Sequence, residues 1–181
     1  MKNYGVFYSF SKEREYLLIL FSDEEITYQK SFGKIVVSYH NVDVVSYKIK
    51  DIDKIIKIHA DGLIPLINQT VLSIINNLLI KEGLEPLFEK THSDFYNAVV
   101  VSKKPTIVKT IDGEYEVNNE NVKINDHVVL AKQGSFLFDK TYLKENHLCT
   151  YKDLEISDSD EVLIDNELDI NEDFFMTSEE K

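Results

Sequence analysis

One stretch of the chain, residues 64–81, repeats its apolar side chains at helical spacing, and the runs around it are too short and too strand-like to do the same. Ile64, Ile67, Val71, Ile74, Ile75 and Leu78 recur at three and four, while Asn68, Gln69, Ser73, Asn76, Asn77 and Lys81 fill the opposite side. Pro65 near the start and Gly83 just past the end are helix punctuation. An amphipathic helix cannot bury its stripe alone, so a neighbouring sheet is expected to cover it, and the stripe reads as core rather than as a docking face.

The runs before it supply that sheet. Residues 4–10 are aromatic-rich, 15–21 (EYLLILF) are apolar, 34–39 (KIVVSY) follow Gly33, and 42–49 (VDVVSYKI) follow Asn41, a turn residue. After Pro86 the helical period does not return. Residues 96–101, 106–111, 114–117 and 127–131 are short strand-like runs separated by Gly, Asn, Asp and Lys-Pro, the pattern of a small barrel or sandwich. The expected fold class is therefore α+β. Residues 1–92 form an antiparallel sheet with one long helix, 93–166 an all-β domain, and 167–181 an acidic tail.

Charge narrows the function. Of 32 acidic and 20 basic residues, giving a net charge of -12, twelve acidic and two basic lie in residues 151–181, so the body is nearly neutral and the end is acidic. That balance opposes tight, nonspecific binding to a phosphate backbone. Arg14 is the single arginine, so bidentate recognition of phosphate or guanine is largely replaced by lysine point charges. Cys149 is the only cysteine and residues 1–20 lack the basic start and apolar core of a signal peptide, which leads us to expect a cytoplasmic protein. No apolar run reaches the roughly 20 residues that span a bilayer, and no membrane association is expected.

Catalytic patterns are missing at the level of residue type. There is no glycine-rich phosphate loop, no G-x-S-x-G, no HExxH and no CxxC, and the five histidines are scattered singly, so neither an enzyme nor a metal or cofactor is expected. Asp158, Asp160 and Glu161 lack the central glycine and spacing of a calcium loop and read as solvated charge.

Residues 121–134, NVKINDHVVLAKQG, resemble the N-V-x-x-G-D-x-V-V-x-A-x-x-G segment of the tRNA-binding OB domain found in EMAP II, in the bacterial phenylalanyl-tRNA synthetase beta subunit and in methionyl-tRNA synthetase extensions. Residues 146–157, NHLCTYKDLEIS, are similar to that domain's G-M-L-C-S-x-K-E-L-G-I-S segment, with Cys149, Thr150, Lys152 and Leu154 on matching positions. Residues 7–21, 33–49 and 74–87 resemble the N-terminal domain of the YtpR-like family, bacterial proteins that join such a domain to a C-terminal tRNA-binding OB domain. The resemblance spans residues 4–165. It departs from the family in lacking an H-P-x-A-D-x-L motif and in placing Asn125 and Asn146 where the family has glycine and His147 where it has methionine.

The resemblance implies a non-enzymatic tRNA- or RNA-binding protein whose second domain is an OB barrel, with tRNA as a weakly bound partner. Such a barrel binds through aromatic stacking and lysines that follow the backbone. The candidate RNA-binding residues are Lys103, Lys104, Lys109, Asn121, Lys132, Lys140, Lys144, Thr150 and Lys152, with Phe136, Phe138 and Tyr142 nearby. Residues 97–150 hold seven lysines and seven carboxylates, so solvated lysines around phenylalanines packed as core are an equally open reading. The alternative function is a protein-interaction module, with a protein partner or a second copy of itself, that keeps the fold with lost or weak RNA affinity.

Overall fold

The computed structural model describes residues 2–10, 15–58 and 61–175, and the chain divides into two units, Met1–Thr91 and His92–Lys181. In the first unit, β1 (Gly5–Phe10), β2 (Glu15–Leu20), β3 (Tyr28–Phe32), β4 (Ile35–His40), β5 (Asp43–Lys50) and β6 (Gly62–Ile64) form one antiparallel sheet in the order β3-β4-β5-β2-β1-β6. Gly33 and Asn41, at φ 61° and 55°, supply the left-handed backbone that the tight β3–β4 and β4–β5 connections require. Alternation along the strands puts Leu17, Ile19, Val37 and Ile49 into the core, each with no exposed surface.

Helix α1 (Gln69–Lys81) lays Leu72, Ile75 and Leu79 into the same core. Full burial of an Ile or Leu side chain stabilises by about 1.5–3 kcal/mol, so this stripe outweighs the helix's own marginal propensity. The helix expected over residues 64–81 starts five residues later, because Ile64 is taken into β6 opposite Val6 and precedes a proline, which disfavours helical backbone there. Asn68 is the N-cap, and its Oδ1 accepts from the Val71 N–H at 2.9 Å. At the other end Gly83 has φ 74° and the Leu84 N–H returns to the Leu79 carbonyl, closing the last turn. Asn76, expected on the polar side, reaches back instead: its amide donates to the Leu87 carbonyl at 2.9 Å and accepts the Leu87 N–H at 2.8 Å.

In the second unit, β7 (Phe95–Ser102), β8 (Thr106–Thr110), β9 (Gly113–Val117), β10 (His127–Ala131) and β11 (His147–Leu148) form a curled antiparallel sheet in the order β11-β10-β7-β8-β9. Residues 95–131 contain no helix. After the β7-β8-β9 meander the chain returns to lay β10 beside β7, the Greek-key arrangement. Ala98, Val100, Val108, Val128 and Leu130 pack inside the curl.

The other face of β7 is covered by residues 165–175, within the acidic stretch. The Asn97 amide donates to the carbonyls of Asp169 and Glu172 at 3.0 and 3.1 Å, His127 Nδ1 lies 2.8 Å from the Leu168 carbonyl, and Phe175 packs edge-on against Phe95 at 5.1 Å. The expected tail is thus folded against β7 and β10 as far as residue 175; residues 176–181 lie outside the described residues. No helix among the described residues is long and apolar enough to cross a membrane.

Candidate nucleic-acid interface

The lysines expected to face RNA divide by what they already hold. Lys103, just past β7, is half-buried, and its Nζ donates to the carbonyls of Glu120 and Val122 at 2.9 and 2.6 Å. It anchors the loop between β9 and β10 instead of standing in solvent. Lys104 is exposed at the turn into β8. Lys109 is exposed on β8 and sits in register with Glu114 on β9. Lys140 and Lys144 are exposed on either side of the residues 141–143 run, and Lys152 is exposed on a turn where its N–H donates to the Ser159 carbonyl at 3.0 Å.

Lys103 and Lys104 share a groove of about 530 Å³ whose other walls include Asn118, Asn119, Gln133 and Asn146. Asn146 spans the side of the curled sheet where β9 and β11 are not paired. Its amide donates to the Glu116 carbonyl at 3.3 Å and its Oδ1 accepts the Gln133 N–H at 3.0 Å. Amide side chains beside an exposed ammonium offer donors and acceptors to a polar strand, while Glu116, Glu120 and Glu145 on the same walls oppose a phosphate. Lys109, Lys140, Lys144 and Lys152 are not among the walls of this groove.

Lys132 stands at the end of the sheet's inner face, continuing the alternation of Val128 and Leu130. Its Nζ lies 4.0 Å from the Tyr96 ring centroid and 4.6 Å from that of Tyr115, and it is ion-paired with Asp112. The Asp112 carboxylate also accepts from Thr110 Oγ1 at 2.6 Å and Tyr115 Oη at 3.0 Å. Partial burial alone would raise the Asp112 carboxyl, but these donors outweigh it and hold its pKa below the usual value. Burial alone would lower the Lys132 ammonium, and the Asp112 and Tyr115 contacts reverse this and raise it. The His92 ring stacks parallel to that of Tyr96 at 4.0 Å. Sequence reasoning found Lys132 but not Asp112, Tyr96 or Tyr115; the signal for Tyr96 was the shared alternation of Tyr96-Ala98-Val100 and Val128-Leu130-Lys132, and no such pattern marks Asp112 or Tyr115.

The remaining sequence-derived candidates make local hydrogen bonds. Asn121 is exposed, and its N–H donates to Asn119 Oδ1 at 2.9 Å. Thr150 and Asp153 satisfy one another: the Thr150 N–H donates to Asp153 Oδ2 at 2.9 Å and the Asp153 N–H donates to Thr150 Oγ1 at 3.0 Å. His147 Nε2 lies 2.7 Å from the same carboxylate oxygen. Phe136 is buried with Tyr142 against it, and Phe138 packs toward Phe95 and Phe175, so these rings are spent on packing. Cys149 has no exposed surface, and burial pushes its thiol pKa well up, the opposite of a nucleophile. Among the described residues no group of three or more His, Cys, Asp or Glu side chains is placed to hold a metal ion.

Comparison of the sequence with models of known protein families, and with curated proteins, finds no match.

Proposed function

We propose that this chain is a non-enzymatic RNA-binding protein, with tRNA the RNA class that the sequence resemblance implies, and that its second unit is a divergent OB barrel carrying the interface. The observation behind this reading is the strand order. Numbered in chain order, the five strands lie 5-4-1-2-3, a five-stranded, partly open Greek-key arrangement of the kind OB domains use. The backbone adds support: Asn125, Gly134 and Glu155, which align with three glycines of the resembled segments, have φ values of 77°, 89° and 56°. Only glycine adopts that conformation freely, so a motif with glycine at all three fits this backbone.

Binding is weak in this reading, since Lys103 and Lys132 hold internal partners; the phosphate contacts are assigned to Lys104, Lys109, Lys140, Lys144 and Lys152 on their exposure alone. A mobility-shift titration with bulk tRNA at two salt concentrations tests it. Binding should fall with salt, and replacing Lys104, Lys109, Lys140 and Lys144 with Glu should flatten the log-log slope by about 0.7–0.9 unit for each phosphate that is no longer neutralised. No binding at low salt by the folded protein supports the interaction-module reading instead. One observation favours that alternative: a groove of about 530 Å³ in the first unit is lined by Tyr4, Phe21, Tyr47 and Phe88 beside the largely exposed Val42.

A further inference from the structure

The Lys132 cluster has the form of an anion site with its anion supplied from within. Three donors from different elements converge on one carboxylate: the Lys132 ammonium following β10, Thr110 Oγ1 at the end of β8, and Tyr115 Oη in β9. The two tyrosine rings hold the ammonium in place by cation–π attraction, so it is aimed before any ligand arrives. The carboxylate they hold belongs to Asp112, on the two-residue turn between β8 and β9, and its side chain is 41% exposed. That side chain can rotate into solvent without breaking a strand pair, because the ladder ends at Thr110 opposite Gly113. The donors are fixed on strands and their neighbours, whereas the acceptor is on a turn.

We propose that Lys132, Thr110 and Tyr115 form a phosphate-binding subsite, which Asp112 fills in the free protein and which a phosphate of an RNA strand takes by displacing that carboxylate. The proposal rests on the RNA-binding reading for the source of the phosphate, though not for the site itself. A backbone phosphodiester presents two charged non-bridging oxygens, as the carboxylate does, and can therefore take the same three donors in its place. Asp112 therefore acts as a built-in competitor that lowers affinity for any strand failing to supply a well-placed phosphate.

Asp112→Asn tests this, since it keeps the shape and an acceptor for Thr110 and Tyr115 but removes the competing charge. At low salt it should bind bulk tRNA roughly tenfold more tightly, the size of one charge-assisted contact, with a slope steeper by about 0.7–0.9 unit. Adding Lys132→Gln should abolish that gain. Titrating inorganic phosphate into Asp112→Asn, followed by the Tyr115 and Tyr96 ring proton signals, examines the site without RNA, and a urea midpoint establishes that each variant is folded. If wild type binds tRNA and folded Asp112→Asn binds no tighter, the subsite is wrong while the RNA reading stands. If phosphate moves the tyrosine signals but neither protein binds tRNA, the subsite stands for free phosphate or small phosphate esters and the RNA reading fails. If phosphate moves nothing and tRNA does not bind, both are overturned.

Discussion

Ser93 donates its hydroxyl to Asp173 Oδ1 at 2.6 Å and its backbone N–H to Asp173 Oδ2, tying the first residues of the second unit to a carboxylate 80 positions later. Asp173 is 5% exposed, and its Oδ1 also accepts the Phe175 N–H at 3.0 Å. A buried carboxylate with three donors is a strong local anchor, because removing it strands those donors away from water.

Asp173→Ala should therefore destabilise the second unit by about 3 kcal/mol, the scale expected when charge-assisted bonds disappear and buried donors stay unpaired. Urea unfolding followed by a probe in this unit checks it. A midpoint within error of wild type would show that the Asp173 anchor adds nothing to stability.

In the first unit, Asn76→Ala should cost about 2 kcal/mol, since both Leu87 backbone groups lose their partner. The neighbouring Asn77→Ala, at an exposed helical position, should stay within about 0.5 kcal/mol of wild type. Thermal melts of the pair separate the clamp from helix propensity, which favours Ala equally at both sites.

Strands β1, β2, β4, β5 and β7 to β10 and the existence of the helix are legible in the sequence, because buried faces impose period two or period 3.6 on the apolar residues. Its first turn is not, since Ile64 and Ile67 keep the helical spacing while Pro65 and the pairing of Ile64 with Val6 decide the backbone. Strand β3 escapes notice for another reason: Tyr28, Gln29, Lys30 and Ser31 are all exposed on a sheet edge, so no alternation marks them and only pairing with β4 makes them a strand. The lysines are visible as a set, yet composition cannot say which are engaged. Lys103 and Lys104 are adjacent, and one holds a loop while the other meets solvent. The Lys132–Asp112 pair depends on the register of three strands, which no local pattern encodes.

That contrast between neighbours can be measured. Lys103→Met should lower stability by about 1–2 kcal/mol by freeing the carbonyls of Glu120 and Val122, and should leave the salt slope of tRNA binding unchanged. Lys104→Met should do the reverse. Equal effects of the two on the slope would mean that Lys103 leaves its carbonyls to meet RNA.

Asp153 provides a pH test. Burial alone would raise its carboxyl, but the bonds from His147 and Thr150 prevail and its pKa is lowered. A carboxyl whose pKa falls on folding gives up stability when protonated, so this contribution is fully present above about pH 4 and is lost as pH drops through the lowered folded value. Asp153→Asn should be less stable than wild type at pH 6, with the gap narrowing below about pH 4. A gap that stays constant from pH 6 to pH 3 would assign the loss to packing.

The long reach from Ser93 to Asp173 also orders events during synthesis. The strands and helix of the first unit all lie within Met1–Thr91, so its sheet can be completed while the rest of the chain is being made. The second unit has no such independence: β7 is its first strand, but the segment that covers Phe95 and Asn97 comes last. At typical elongation rates of 5–20 residues per second those 80 positions take roughly 4 to 16 seconds. For that interval the face of β7 that carries Phe95 and Asn97 stands without the segment that covers it.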